Sequence, residues 1–209
     1  MGEGDVTSGT LVHGRYRLLE RVGGGGMGHV FRADDTKTGR TVAIKLLHRE
    51  LWNSPDVTAR LFQEAKVLSA IRHPNIVEIL DADTSEHGPF IAMEHLEGSS
   101  AGVLLAIMGR FDEGTTISIA LPVLAALEAA HKMGVVHRDL KPENVFLARG
   151  PLGEEDFVKV LDFGIAKVAG ASERLTIAGQ LVGTPQYMSP EQALGRPVDH
   201  RSDVYQVGT

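Results

Sequence analysis

The chain has 209 residues, of which 43% are hydrophobic and 23% are charged, a composition typical of a globular protein with a buried core. This length suits one large domain or two small lobes. A net charge of −6 argues against nucleic acid as the main partner, because phosphate binding depends on clustered lysine and arginine. The sequence contains no cysteine, which excludes a disulfide framework and cysteine-based zinc sites.

The first twelve residues, MGEGDVTSGTLV, are mostly small and polar, and they predict a disordered N-terminal tail over residues 1–12. They lack the basic start and apolar stretch of a secretory signal peptide. The longest apolar stretch in the chain, IALPVLAALEAA, is interrupted by Pro122 and Glu128 and is too short to span a bilayer. We therefore expect a cytoplasmic protein with no membrane segment in this chain.

Three strands and a glycine-rich loop are predicted next. The segment YRLLERV, which begins at Tyr16, indicates a strand that enters the run GGGGMG, and HVFRADD and TVAIKLL indicate two more strands joined by a turn. A G-x-G-x-x-G pattern is expected about 0.3 times by chance in a chain this rich in glycine, so alone it is weak evidence. Because the loop lies between strands, a Rossmann fingerprint is disfavoured. A Walker A loop fails too, since His29-Val30 stand where Lys and Ser or Thr are required. A phosphate cradle and a flexible linker both remain open.

A helix is predicted to begin at Ser54–Asp56, which supplies an N-cap residue, a proline and an acid in the first turn. It is expected to run to about Ile71. Leu61 and Leu68 mark its buried stripe, and Glu64 lies on the same face. Burying a carboxylate without a partner is costly, so Glu64 needs a cation nearby.

The second half of the chain predicts two strands, a long helix and several polar loops. IVEIL and FIAME are typical of strands, and an alanine-rich helix is expected to end near Lys132-Met133 with Gly134 as its cap. Pro122 either kinks this helix or marks a later start. The loops that follow contain the densest polar motifs: VVHRDLKPENVFL, VKVLDFGIAK and GTPQYMSPEQ.

The segment His137–Asn144 reads HRDLKPEN, and five fixed residues at this spacing are expected by chance on the order of 10⁻⁴ times. The other motifs occur in a defined order around it: the glycine loop, VAIK, Glu64, DFG, GTPQYMSPE and DVYQVG. With them, the sequence resembles the eukaryotic-like serine/threonine protein kinases, particularly the bacterial ones, from Tyr16 to the last residue. The resemblance implies an α+β, two-lobed fold. The N-lobe, residues 13–95, would have an antiparallel β-sheet and one helix, and the mainly helical C-lobe, residues 96–209, would be incomplete.

The resemblance also implies that the chain binds ATP. Lys45 of VAIK would hold the α- and β-phosphates, and Glu64 would orient Lys45 as its missing partner. Glycines in the loop would let the backbone approach the phosphates without a Cβ in the way. The remaining expected ATP contacts come from the glycine loop, the adenine pocket and the hinge: Val22, Gly23, Gly25, Gly28, Val30, Ala43, Met93, Glu94, Leu96 and Phe146.

Catalytic and metal-binding roles follow from the same resemblance. Asp139 would accept the proton of the substrate hydroxyl, and Lys141 would steady the transferred phosphate. Asn144 and Asp162 would bind Mg²⁺, with Mn²⁺ as an alternative. Thr184 would couple the substrate-binding loop to the catalytic loop, and together with Lys141 it favours Ser and Thr over Tyr in protein substrates.

Regulation by phosphorylation is expected as well. Arg138 precedes the catalytic aspartate and would pair with a phosphate on the activation loop, where Thr176 is the leading candidate. Self-association for autophosphorylation would then be a partner interaction.

The chain stops at Thr209, within the helix that Asp203 begins, whereas the family continues with further helices. Glu191 is accordingly expected to lack its usual arginine and to be unpaired. We therefore expect a C-terminally truncated kinase domain. The alternative is a catalytically weak or inactive fragment that acts as a nucleotide- or protein-binding module.

Overall fold

The computed structural model divides the chain into two compact units. Residues 1–69 and 78–95 form the first unit, and residues 70–77 and 96–209 form the second. The residues that the structure describes are 6–25, 28–49, 52, 55–150, 157–163 and 185–209.

The first unit is built on a six-stranded antiparallel sheet in the order β1-β2-β3-β4-β6-β5. Its strands are β1 (Leu11–Val12), β2 (Tyr16–Gly25), β3 (Gly28–Asp35), β4 (Thr41–Leu47), β5 (Ile79–Ser85) and β6 (Gly88–Glu94). Buried side chains alternate at the start of β2 and along β3 from Phe31, whereas β4 is buried at six consecutive positions. The core on one face combines Tyr16, Leu18, Phe31, Ile44 and Phe90. The sheet thus holds β4 at its centre, with side chains covered on both faces.

Ordered structure starts earlier than the sequence predicted. Leu11 and Val12 form β1, which pairs with β2 at Arg17 and Tyr16. Val12 is fully buried in the core of the sheet. The prediction of a disordered tail over residues 1–12 is therefore wrong for residues 11 and 12, because one apolar side chain and the edge of β2 hold them.

One helix accompanies the sheet in the described part of this unit. Helix α1 spans Pro55–Ser69 and packs against β5. Leu61, Ala65 and Leu68 are buried, and their spacing of four and three residues puts them on one face. The helix ends two residues before the predicted Ile71, and its expected cap, Ser54, lies outside the described residues.

A cluster of polar side chains connects the start of β2, the end of β3 and β5. Arg15 donates to both carboxylate oxygens of Asp35, at 2.8 and 2.7 Å, and the carboxylate also accepts from the Thr38 hydroxyl and the Lys37 amide. Arg15 and the Tyr16 hydroxyl also bond Asp81, at 3.3 and 2.9 Å. The pKa of Asp35 is held far below its usual value, first by Arg15 and against the effect of burial.

Replacing Asp35 with Asn is expected to lower the free energy of unfolding at pH 7 by about 1.5–3 kcal/mol, because Arg15 loses one of its two carboxylate partners. A depressed carboxyl pKa contributes stability above the unfolded-state pKa of about 3.9 and loses it as the pH falls. The difference between wild type and variant should therefore narrow from pH 7 to pH 3 in urea titrations. Asp34→Asn is the control, since Asp34 makes no side-chain hydrogen bond with the described residues. A difference that stays constant with pH would contradict the assignment.

The second unit combines helices with a small three-stranded sheet in the order β7-β8-β9. The strands are β7 (Gly98–Ser100), β8 (Val145–Ala148) and β9 (Phe157–Val160). The helices are α2 (Ala101–Met108), α3 (Glu113–Lys132), α4 (Pro190–Ala193) and α5 (His200–Val207). Single 3₁₀ turns occur at Pro142–Asn144 and Pro185–Tyr187. β8 and β9 pair in antiparallel orientation, and residues 151–156 between them lie outside the described part.

Helix α3 contains Pro122 in its interior, so this proline does not mark the start of the helix. The helix begins instead at Glu113, and the side chain of the preceding Asp112 caps it by accepting from the Thr115 amide at 2.8 Å. Among the described helices, α3 is the one long and apolar enough to cross a membrane by length and composition. It also carries a buried stripe of the kind that the core helix of a globular protein has, and it packs against β9 and α5.

Residues 70–77 belong to the second unit, although the sequence analysis placed them in the N-lobe. The Val77 amide donates to the Val160 carbonyl at 3.1 Å, and the Asn75 side chain donates to Val158 at 2.8 Å. The strand predicted at IVEIL therefore begins three residues later than expected, at Ile79, and extends to Ser85, because its first residues bond β9 instead.

Candidate functional site

The described glycines of the glycine-rich segment lie in the last paired positions of β2 and β3, and residues 26 and 27 lie outside the described part. Pairing continues to the register Gly25–Gly28. β3 lies next to β4, and the lack of a Cβ on Gly28 permits this close approach, because a Cβ there would lie 2.0 Å from the Leu46 carbonyl oxygen. The His48 imidazole, just past β4, donates from Nε2 to the Gly25 carbonyl at 2.9 Å. Gly28 thus packs on β4, and Gly25 is held by the residue that follows β4.

Gly28→Ala is expected to lower the free energy of unfolding by about 1–3 kcal/mol, because the added methyl group meets backbone that cannot move independently. Gly25→Ala is the matched control in the same turn, since a Cβ there meets no described atom within 4 Å. Urea unfolding without nucleotide measures both. Equal losses for the two variants would show that the close approach at Gly28 is not needed.

Lys45 lies on the central strand β4, opposite Val30 of β3 and Ile91 of β6. Only 6% of its surface is exposed, so its ammonium group is largely removed from water. Ala43 lies two residues earlier on the same face, paired with Met93 of β6. The expected partner, Glu64, is half-buried on α1 of the same unit.

The other expected ATP contacts differ in exposure. Val22 is exposed, whereas Ala43 and Met93 are buried. The Glu94 amide already donates to the Glu78 carbonyl at 3.0 Å, and the Glu94 carboxylate accepts from the Glu78 amide at 2.8 Å. Glu94 is therefore tied to the segment that leads into β5.

The second unit brings three of the predicted catalytic residues together. The Lys141 ammonium lies 2.8 Å from Oδ2 of Asp139. The Asn144 amide donates to the Asp139 carbonyl at 2.7 Å and to Oδ2 at 3.3 Å. Asp139 keeps its carboxylate partly exposed, and its Oδ1 makes no hydrogen bond with the described residues. One oxygen is thus held in place while the other is open to a substrate.

Asp203 of α5 anchors the loop that carries Asp139. Its side chain is fully buried, and it accepts from the amides of His137 at 2.8 Å and Arg138 at 2.7 Å. His131, at the end of α3, donates from Nε2 to the same carboxylate at 2.7 Å. Asp203 therefore ties the backbone of this loop and the end of α3 to α5.

His137 connects this loop to the segment that contains Asp162. Its Nε2 donates to the Leu161 carbonyl at 2.8 Å, and its ring packs on Phe163 at 4.6 Å between centroids. Full burial lowers the pKa of His137, more than the nearby carboxylates raise it. His137 is therefore neutral, with its proton on Nε2, and its Nδ1 accepts from the Asp139 amide at 3.3 Å.

A backbone hydrogen bond joins the segments that carry Asn144 and Asp162, the two candidate metal ligands. The Leu161 amide donates to the Asn144 carbonyl at 2.9 Å, which fixes the backbone next to Asp162. Asp162 has a positive φ of 54°, a conformation that is uncommon for residues other than glycine. In the described part of the chain, no group of three or more His, Cys, Asp or Glu side chains could hold a metal ion by itself.

Phe146 of β8 and Leu96, just before β7, are half-buried in the second unit. Thr184 and the proposed phosphorylation site Thr176 lie outside the described residues. Glu191, expected without a partner, accepts a hydrogen bond from the Ser202 hydroxyl. This contact lowers the pKa of Glu191, so the expectation that it lacks a partner is wrong.

Several polar residues around these sites were not predicted. Motif comparison offered no role for His48, His131, Gln192 or Gln206, since their partners are distant in sequence. Gln206, for example, accepts from the Leu140 amide 66 residues away. No spacing rule connects such positions before the chain folds.

The comparison with known families decides what this arrangement represents. The protein kinase domain family matches residues 16–209. The chain belongs to the protein kinase family. Serine/threonine-protein kinase Pkn1 of Myxococcus xanthus is 47% identical over 196 residues, which are 93% of this chain and 28% of that protein. Serine/threonine-protein kinase pkn3 of the same organism is 45% identical, over 98% of this chain and 38% of that protein. The chain therefore spans well under half the length of these relatives.

The structural comparison agrees with the kinase family. The crystal structure of the Mycobacterium tuberculosis PknI kinase domain matches with a TM-score of 0.77 at 26% identity, covering 97% of this chain and 74% of that one. The predicted α+β kinase fold, with an antiparallel sheet and one helix in the first lobe, is confirmed. Kinases of this family use ATP and a divalent metal ion and act on proteins.

Proposed function

We propose that the protein transfers the γ-phosphate of ATP to serine and threonine hydroxyls of protein substrates. The observation that carries this proposal is the arrangement of Asp139, Lys141 and Asn144, with one carboxylate oxygen held and the other open. The named relatives are serine/threonine-protein kinases, which supports the choice of substrate hydroxyl.

In the proposed reaction, the substrate hydroxyl oxygen forms a bond to the γ-phosphorus. The bond from this phosphorus to the β,γ-bridging oxygen breaks, and ADP leaves with the electron pair. The hydroxyl proton passes to Oδ1 of Asp139, while Lys141 offsets negative charge on the phosphoryl group. The protein forms no covalent bond to the phosphoryl group in this reaction, so it accelerates the transfer by aligning the reactants and neutralising their charge.

Asn144 and Asp162 are the residues proposed to hold Mg²⁺, with Mn²⁺ as the alternative. Both offer hard oxygen ligands, which these ions prefer. Two side chains do not complete a coordination shell, and phosphate oxygens and water are the expected further ligands. When bound, the ion would neutralise charge on the phosphates.

Lys45, Glu64 and the glycine loop are proposed to bind the nucleotide phosphates. Gly24 and Gly25 are exposed, and at Gly25 no described atom lies within 4 Å of where a Cβ would stand, so the backbone there is open to approach. The adenine would contact Val30, Ala43 and Phe146. Burial of Lys45 supports this role, because an ammonium group shielded from water interacts strongly with phosphate.

We further propose that the kinase phosphorylates a second copy of itself at Thr176, in the cytoplasm, through transient self-association. A phosphate there would pair with Arg138, whose Nε is buried and makes no hydrogen bond with the described residues.

Incubation of the protein with labelled ATP, Mg²⁺ and a general protein substrate tests the proposed function, with Asp139→Asn alongside. Label on serine and threonine in wild type alone supports it. A folded protein with no label above the variant would refute the activity. A thermal shift with ATP and Mg²⁺ would then show whether the chain is a nucleotide-binding module instead.

A further inference from the structure

Two glutamines of the second unit form an amide pair directly behind the loop that carries Asp139. Gln192 lies on α4 and Gln206 on α5. The Gln206 amide donates to Oε1 of Gln192 at 3.2 Å. Gln206 is buried, so its polar atoms have little access to water and depend on protein partners.

Both glutamines bond the same backbone carbonyl. The Gln192 amide donates to the Arg138 carbonyl at 2.6 Å, and the Gln206 amide donates to it at 3.4 Å. Oε1 of Gln206 accepts from the Leu140 amide at 3.0 Å. The side-chain amide of Gln206 uses both of its groups here, because the NH₂ donates to a carbonyl while the oxygen accepts from an N–H, and an apolar side chain could do neither.

These contacts complete the restraint of the two peptide planes that flank Asp139. In the plane before it, the glutamines hold the Arg138 carbonyl and Nδ1 of His137 holds the Asp139 amide. In the plane after it, Asn144 holds the Asp139 carbonyl and Gln206 holds the Leu140 amide. Gln206 is the side chain that reaches both planes.

The restraint is needed because the backbone here is strained. Arg138 has a φ of 68°, which costs energy for a residue with a side chain and persists only where the surroundings enforce it. Asp203 fixes the amide side of Arg138, and the glutamines fix its carbonyl side. The glutamines are neutral, so they restrain the loop without adding charge beside the Asp139 carboxylate.

We propose that Gln192 and Gln206 are positioning residues that set the orientation of Asp139 for phosphotransfer, an inference that rests on the proposed kinase function. Gln192 also caps α4, because its Oε1 accepts from the Ser189 amide at 3.0 Å. The pair therefore links the orientation of the catalytic loop to the segment that follows the activation loop. A movement of α4 would pull the Gln192 amide away from the Arg138 carbonyl and so change the orientation of the Asp139 carboxylate.

The test replaces each glutamine by leucine, which keeps the size of the side chain and removes the amide. Gln206→Leu and Gln192→Leu are each expected to lower kcat by about 10- to 100-fold, the effect of misaligning a reacting group. The KM for ATP should stay within about twofold of wild type, because only the rate-determining alignment is lost. The kcat of the double variant should be at most about threefold lower than the kcat of the slower single variant, since the two residues act as a unit.

Gln63→Leu is the matched control, because Gln63 is exposed on α1 of the first unit. Amide hydrogen exchange at Leu140, followed by NMR, provides a readout that does not depend on activity. Gln206→Leu should speed this exchange by about tenfold relative to Gln63→Leu, and exchange within β9 should not change.

Unchanged Leu140 exchange together with a kcat within twofold of Gln63→Leu would overturn the proposal. A parallel rise in KM and fall in melting temperature, with kcat retained, would overturn it too, because that result indicates a purely structural role. If wild type itself transfers no phosphate, the proposed function fails, and exchange at Leu140 alone then decides whether the glutamines restrain the loop. Should Gln206→Leu not fold, the half-buried Gln192→Leu takes its place in the same comparison.

Discussion

Asp139→Asn is expected to lower the rate of phosphotransfer by about 10²–10⁴-fold, the contribution typical of a positioned general base. The amide cannot take up the hydroxyl proton at the open Oδ1 position. The Lys141 ammonium, now 2.8 Å from Oδ2, would also lose its charged partner. Fold and nucleotide affinity should change little, since Asp139 is partly exposed and its backbone contacts persist.

Steady-state kinetics with ATP and a protein substrate measure this effect. Asp34→Asn is the control for the loss of one carboxylate, because Asp34 lies in β3 and has no proposed part in the reaction. A thermal shift with ATP and Mg²⁺ should be the same for wild type and Asp139→Asn. Retention of more than a tenth of the wild-type rate would show that another group accepts the proton.

The reacting residues could be predicted because their chemistry restricts both residue type and spacing. Asp139, Lys141 and Asn144 lie within six residues, so one local motif contains them all, and the structure brings their side chains together. The strands around the glycine loop were also predictable, since alternating apolar residues and turn signals are local features.

Other features could not be predicted from local patterns. Helix α2 was missed because AGVLLAIM is apolar throughout and shows no helical periodicity, although Ser100 and Gly109 cap its two ends. Strand β1 was missed because two residues carry no periodic signal and gain order only from β2. Gln192 and Gln206 both bond Arg138, from which they are 54 and 68 positions away in the sequence, and such contacts exist only after folding.

Asp203→Asn is expected to lower the free energy of unfolding by about 3–5 kcal/mol, as for the loss of one partner in a buried charged network. The carboxylate accepts three hydrogen bonds, from the amides of His137 and Arg138 and from His131. An asparagine offers only one acceptor oxygen, so its NH₂ group must face at least one N–H donor in a site closed to water. The strained backbone of Arg138 then loses one of its restraints, and activity should fall with stability.

Asp199→Asn provides a matched control on the same helix. Asp199 caps α5 by accepting from the Arg201 amide at 2.9 Å, and Asn caps helices about as well as Asp. Its effect on urea unfolding should therefore be well below that of Asp203→Asn. If the free energies of unfolding of the two variants differ by less than about 1 kcal/mol, a hydrogen bond of ordinary strength would account for the contribution of Asp203 to stability. A large difference with loss of phosphotransfer would instead identify α5 as the support on which the orientation of Asp139 depends.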